Sequence, residues 1–258
     1  MKYDVVILAG GENSSDLRKI APYDNEALII IGNYPMIYYV YKSLRSSPLV
    51  ENIIVSGPAD SLRSILPRED NLYFVNGGEN AIDSFSQAIE LLDKIGTTEY
   101  LLVAPTDIPL ITSEAIEDFM HQCEKYDADF YYPVTSKKVN EEKFPGVART
   151  YVRLREGVFT GGNLFIMRKA MIPKGLEFAK QMVENRKNPL KMARILGISL
   201  AWKLIWGRLA IPVIEKRFYD MTGIRGKAII SNFAEVGVDV DKPSDLELAQ
   251  KYLKEVSF

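Results

Sequence analysis

The chain has 258 residues, 47% hydrophobic and 26% charged, an ordinary globular composition with enough length for a sizeable core and for one domain or two small ones. A net charge of −2 offers no basic footprint for DNA or RNA, while leaving room for a small anionic ligand. Cys123 and His121 are the only residues of their types, which excludes an intrachain disulfide, a cysteine metal cluster and a multi-imidazole zinc site, and disfavours a Ser-His-Asp hydrolase.

Val5-Val6-Ile7-Leu8 is a continuous apolar run that breaks into Ala9-Gly10-Gly11 and a polar loop reaching Arg18 and Lys19. Such a run reads as a buried strand, and glycines at its C-terminal turn let backbone N–H groups line a ligand such as phosphate. Lys2 leads almost directly into this strand, with no room for a signal peptide, so a cytoplasmic protein is expected.

Ala27-Leu28-Ile29-Ile30-Ile31 suggests a short strand, Gly32-Asn33 a turn, and Pro35 the start of a helix to Leu44. Ile53-Ile54-Val55 and Leu72-Tyr73-Phe74-Val75 are further buried strands, the second ending in Asn76-Gly77-Gly78. A helix is predicted over about 81–92, with Ile82, Phe85, Ile89 and Leu92 at helical spacing. Strand 100–104 then runs into Pro105-Thr106-Asp107-Ile108-Pro109, and Thr112 or Ser113 caps a helix through Cys123, where His121 and Cys123 read as bystanders. Strands alternating with amphipathic helices imply an α/β fold with a mostly parallel, Rossmann-like sheet and helices on both faces. Ligands bind such sheets at the carboxyl ends of the strands, where Gly10-Gly11, Gly77-Gly78 and Asp107 all fall.

The second half is less regular. Phe130 to Val134 reads as a strand, and 144–159 carries Arg149, Arg153 and Arg155 among apolar residues. Arg153 and Arg155 share a face if that part is extended, and would hold an anionic acceptor or simply form a solvated surface. Thr160-Gly161-Gly162-Asn163, before the strand at 164–167, marks either a second backbone–ligand contact or a turn. Residues from about 177 to 222 look helical, with Trp202 and Trp206 on one face among Lys191, Arg194, Lys203 and Arg208. Helices packed on the sheet are the plain reading of this block, and a lid, a dimer surface or an interfacial helix are alternatives. Its apolar part, 198–214, is interrupted by Lys203, Arg208 and Pro212 and falls short of a spanning helix, leaving a membrane surface as the minor alternative. The chain closes with a strand at 227–231, then Val236 to Asp241 and a helix opened by Pro243. A single compact domain over 1–258, with a helical insertion around 177–222, is the economical organisation.

Taken together, Val6-Ile7-Leu8-Ala9-Gly10-Gly11, Asn25-Glu26-Ala27-Leu28-Ile29, Gly32-Asn33-Tyr34-Pro35-Met36-Ile37, Thr106-Asp107-Ile108-Pro109 and the closing Gly237-Val238-Asp239-Val240-Asp241-Lys242-Pro243-Ser244-Asp245-Leu246 resemble nucleotidyltransferases of glycosyltransferase-A-like fold. The resemblance is nearest to the molybdenum cofactor guanylyl- and cytidylyltransferases and the MobA-like NTP transferases grouped with them. It implies transfer of a nucleoside monophosphate from a nucleoside triphosphate to a phosphorylated small-molecule acceptor, with release of pyrophosphate. By the same resemblance Leu8, Ala9, Gly10 and Gly11 would cradle the nucleotide, joined by Thr106, while Gly78 and Ser84 would contact base or ribose. Asp107 would bind Mg2+ and act in catalysis, with Asp239 or Asp241 completing the metal site from the last strand. Arg153, Gly161, Gly162 and Asn163 would take the acceptor. The chain departs from the family pattern in its Glu12-Asn13-Ser14-Ser15 loop, where relatives place another glycine and a basic residue, and in Glu26, where they carry lysine. A glutamate there repels phosphate, so Arg18 or Lys19 is expected to supply the missing charge. A glycosyltransferase of the same fold, and a nucleotide-binding protein without turnover, are the rival readings.

Overall fold

In a computed structural model, which describes residues 1–185, 209–254 and 256, the opening apolar run forms strand β1 (Tyr3–Leu8). The chain divides into two units, one of Met1–His121 with Val238–Phe258 and the other of Gln122–Gly237.

In the first unit β1 is followed by α1 (Ser15–Arg18), a 3-10 turn at Glu26–Leu28, β2 (Ile30–Ile31), β3 (Tyr34–Pro35) and α2 (Met36–Arg45). Then come β4 (Val50–Gly57), α3 (Ala59–Ile65), β5 (Leu72–Asn76), α4 (Ala81–Ile95), β6 (Tyr100–Pro105) and α5 (Ser113–Cys123). Strands β5, β4, β1 and β6 lie side by side in that order, all parallel. Tyr3, Val5, Val6 and Ile7 are all within 1% of complete burial; since successive strand side chains point to opposite faces, both faces of β1 are covered. Helix α4 packs across β1, β4 and β5, and α3 against β4 and β5. The α/β class and the parallel sheet stand as the sequence implies. At the N-terminal end of β1 the fully buried Asp4 carboxylate is served by Asn52 Nδ2 at 2.7 Å and by the Thr98 hydroxyl at 2.9 Å, as a buried charge requires.

The predicted strand at 27–31 is half correct. Asn25 Oδ1 accepts from the Ala27 N–H at 2.9 Å and turns Glu26–Leu28 into a 3-10 helix, so only Ile30–Ile31 pairs, antiparallel with β3. Gly32 makes that hairpin turn at φ +59°, a left-handed conformation that suits glycine.

In the second unit β7 (Phe130–Ser136) is central. It leads to α6 (Lys137–Lys143), β8 (Val152–Leu154), β9 (Gly157–Gly161), β10 (Phe165–Arg168), α7 (Ile172–Asn185), α8 (Ile211–Thr222) and β11 (Gly226–Ser231). One edge of β7 is shared by β10 at Phe130–Tyr131 and β9 at Val134–Ser136, both antiparallel, and β11 runs parallel along the other. Strand β8 ends at Leu154, and Arg155 lies in the turn to β9, with its N–H bonded to the Leu209 carbonyl at 2.9 Å. Arg153 and Arg155 therefore do not share a strand face. Trp202, Trp206, Lys191, Arg194, Lys203 and Arg208 lie outside the described residues, as does most of block 198–214. Among the described residues no helix is long and apolar enough to cross a membrane.

The chain then returns to the first unit through residues 238–241 and α9 (Pro243–Leu253). A core of Leu17, Ala21, Ile29, Ile31, Met36, Tyr39, Val240, Leu246 and Ala249 joins α1, the hairpin, α2 and α9. Full burial of a side chain such as Ile29 or Ile31 is worth about 1.5–3 kcal/mol, which fixes the polar loop of 11–26 against the C-terminal segment.

Candidate active site

Where β1 ends, the Ala9 N–H continues the ladder to the Ser56 carbonyl at 2.7 Å, and the chain turns through Gly10 and Gly11. The turn after β5 lies beside it. Its Gly77 N–H bonds the Gly57 carbonyl at 3.0 Å, and its Gly78 N–H donates to Ser84 Oγ at 3.0 Å. A Cβ added at Gly10 or Gly77 would come within 3.3 and 3.2 Å of the same Ser84 oxygen. The hydroxyl of the buried Ser84 therefore holds the turn after β5 and lies close to Gly10 in the turn after β1, with the Ser84 carbonyl bonded by Ser56 Oγ at 2.8 Å.

The polar loop is pinned down by its own side chains. Asn13, buried, donates through Nδ2 to the carbonyls of Ala21 and Tyr23 at 2.8 and 2.9 Å, and Asn25 Nδ2 donates to the Ala9 carbonyl at 2.8 Å. These bonds lay residues 24–26 along residues 11–13, with the Glu26 N–H on the Gly11 carbonyl at 3.2 Å. As a result the Glu26 carboxylate sits over Gly11, where an added Cβ would overlap it.

Asp107 follows β6. Its carbonyl accepts from the Val240 N–H at 2.8 Å, which brings Asp239 and Asp241 alongside. The three carboxylates each offer an oxygen within 4.8 Å of the other two. Residues 238–241 are not a strand, contrary to expectation; they are held by that bond, by Ser14 Oγ on the Asp241 carbonyl at 3.2 Å, and by the Asp241 N–H on Asp245 Oδ2 at 3.3 Å. Burial, followed by the charges of Glu26, Asp239 and Asp241, pushes the Asp107 carboxyl up to about 8, and burial with the charge of Asp241 pushes Glu26 up to about 7. Asp107 Oδ1 and the hydroxyl of the fully buried Thr106 have no hydrogen-bond partner among the described residues.

An all-carboxylate donor set with an unpartnered buried oxygen fits a hard divalent cation such as Mg2+. Leu8, Ala9, Gly10, Gly11, Gly78, Ser84, Thr106, Asp107, Asp239 and Asp241 all belong to the first unit. Arg18 is on the exposed side of α1, donating to the Asp24 carbonyl at 3.4 Å and 3.7 Å from its carboxylate, and Lys19 pairs with Asp16 at 2.7 Å. Sequence reading counted Glu26 only as a departure from pattern; its place among the acids depends on long-range pairing that no local signal carries.

The acceptor-side candidates are in the second unit. Arg153 is exposed on β8. Gly161 and Gly162 have a packing reason, since a Cβ there would meet Tyr132 Oη at 2.5 Å and Pro133 Cγ at 2.7 Å. Asn163 bonds the Val236 carbonyl through its N–H at 2.8 Å, while its buried Nδ2 has no partner among the described residues. Thr135 Oγ1 and Asn140 Oδ1 are among the other buried polar atoms of this unit with no partner among the described residues, and neither residue stands in a motif.

Comparison with known proteins shows the family and the fold. Among solved structures, a hypothetical transferase from Thermus thermophilus is similar over 95% of this chain and all of its own, at 32% identity and a TM-score of 0.81. The 2-C-methyl-D-erythritol 4-phosphate cytidylyltransferase of the same organism shares the fold at 14% identity and a TM-score of 0.59, over 99% of this chain and 100% of its own. CMP:2-keto-3-deoxy-manno-octonic acid synthetase, solved with CTP, does so at 14% identity and a TM-score of 0.61, over 98% of each chain. No curated protein matches. The model of the MobA-like NTP transferase domain matches residues 5–194, the stretch that holds both glycine turns, Glu26 and Asp107, and the chain belongs to that family.

Proposed function

We propose that this protein is a Mg2+-dependent nucleotidyltransferase that moves a nucleoside monophosphate from a nucleoside triphosphate to a phosphorylated small-molecule acceptor. An acceptor oxygen attacks the α-phosphorus, the bond from that phosphorus to the β-phosphate bridging oxygen breaks, and pyrophosphate leaves. The observation that carries the reading is the meeting of Asp107, Asp239 and Asp241 in the unit that also holds the glycine turns. Family membership supports nucleotide transfer, and the two fold neighbours, named for a cytidylyltransferase of a sugar-alcohol phosphate and for a synthetase solved with CTP, support the substrate classes.

The chain's contribution is positioning and charge. The glycine turns after β1 and β5 would present backbone to phosphate and ribose, and Ser84 Oγ holds the second turn through the Gly78 N–H. Asp107, Asp239 and Asp241 would hold the cation, which when bound neutralises phosphate charge. In the second unit, the orphaned Asn163 amide and exposed Arg153 are suited to a phosphorylated acceptor.

Thermal unfolding with each of the four common nucleoside triphosphates, with and without Mg2+, tests the reading without knowledge of the acceptor. A ligand at about 100 times its dissociation constant adds about 2.7 kcal/mol. A cation-dependent rise in Tm with one nucleotide, followed by pyrophosphate release with a panel of sugar and polyol phosphates, is the expected result. No shift with any of the four overturns it.

A further inference from the structure

A carboxylate is an unexpected group to find against a glycine turn that faces phosphate. Glu26 is set there by the fold, since its backbone is tied to Gly11, its neighbour Asn25 to Ala9, and the turn that follows buries Ala27 and Ile29 completely. Its charge adds to those of Asp107, Asp239 and Asp241, and the two cations of the same loop, Arg18 and Lys19, are engaged with Asp24 and Asp16. A bare triphosphate arriving at this face meets four acids. A triphosphate that brings divalent cation meets four ligands, and Asp107 Oδ1, which has no hydrogen-bond partner among the described residues, is left for such a cation.

We infer that Glu26 is a specificity-determining residue that makes nucleotide binding obligatorily coupled to divalent cation, by placing a carboxylate on the glycine turn where the phosphates land. The inference rests on the nucleotidyltransferase reading. It concerns the form in which nucleotide is accepted: the cation-loaded triphosphate binds, and cation-free triphosphate, nucleoside monophosphate and inorganic phosphate do not.

The test is calorimetric binding of the four nucleoside triphosphates to the full chain at pH 9, where Glu26 and Asp107 are ionised even without cation, in excess MgCl2 and in EDTA, for the parent, Glu26→Gln and Glu26→Lys, with thermal unfolding confirming that each variant folds. The parent is expected to lose at least 100-fold in affinity in EDTA. Glu26→Gln, which keeps the shape without the charge, reduces that loss to about tenfold, and Glu26→Lys binds in EDTA at least tenfold more tightly than the parent. A parent that binds with Mg2+ while both variants keep its full loss in EDTA overturns this inference alone. A parent that binds no nucleotide at any cation concentration overturns the nucleotidyltransferase reading, and this inference with it.

Discussion

The Val240 N–H donates to the Asp107 carbonyl at 2.8 Å, joining the end of β6 to the segment that precedes α9. Val240 is itself 99% buried in the core formed with Ile29, Met36 and Leu246, so the bond is backed by packing. Asp239 and Asp241, on either side of it, reach the Asp107 carboxylate because their backbone cannot drift. The acidic cluster is thus a product of the hydrophobic core behind it, and it gathers like charges that a bound cation or protons would relieve.

Asp107→Asn should separate function from stability. It removes one charge from a buried, self-repelling set, so without cation at pH 8 the variant is expected to be at least as stable as the parent, with a gain on the order of 1 kcal/mol. The upward shift in Tm on adding Mg2+ with nucleotide should disappear. Thermal unfolding of both proteins in EDTA and in MgCl2 checks the two halves of this expectation, and an undiminished shift in the variant would refute the role of Asp107.

Stability without cation should fall as pH rises from about 5 to 8. Glu26 and Asp107 have folded-state values of about 7 and 8, raised from the ordinary 4.5 and 3.8, so in this window the native state holds protons that the unfolded chain has released. The unfolded state binds fewer protons, the slope of stability against pH is negative, and the contribution is fully present below pH 4 and gone above about 8. Asp129, lowered chiefly by its hydrogen bond to Arg225, acts only below the ordinary carboxylate range and does not interfere. Mg2+ should steepen in effect over the same window, with cation binding at pH 7 releasing protons that appear as a buffer-dependent heat in calorimetry.

The strands of the first unit were legible because a parallel sheet covered on both faces writes continuous apolar runs, as at Val5–Leu8 and Tyr100–Ala104. The glycine turns and Asp107 were legible as strand ends because each follows a continuous apolar run. Direction was not legible in the second unit: Phe130–Val134 reads the same whether its neighbours run with it or against it, and β7 has both. At 27–31, hydrophobicity suggested a strand, but the Asn25 side chain claimed the Ala27 N–H first. Glu26 shows the larger limit. Its position on Gly11 follows from two asparagine side chains that reach across the loop, and such pairings leave no periodic trace in sequence.

Asn13→Ala tests that lock. One Nδ2 group bonds the Ala21 and Tyr23 carbonyls; its removal takes that bond from the Tyr23 carbonyl and leaves the Ala21 carbonyl only its bond from the Tyr23 N–H at 2.8 Å, at a cost of about 1–3 kcal/mol. Chemical denaturation should show a lower midpoint with an unchanged slope. Nucleotide binding should weaken as well, because the loop that carries Asn13 also runs against residues 24–26. Asn13→Asp, which keeps the size and loses the donors, should behave like the alanine variant.

The contact between Gly11 and Glu26 can be measured by a double-mutant cycle. Gly11 has no positive φ, so alanine is conformationally acceptable there, and what stands in its way is the Glu26 carboxylate. Because that obstacle is the end of a flexible side chain, Gly11→Ala should fold, at a cost of about 1–3 kcal/mol from displacing the carboxylate. In a Glu26→Ala background the space is already open, and the same substitution should be neutral within about 0.5 kcal/mol. The coupling between the two residues is then most of the single-mutant cost. An equal cost of Gly11→Ala in both backgrounds would mean that the carboxylate does not rest on the glycine turn, and the inference drawn from Glu26 would fall with it.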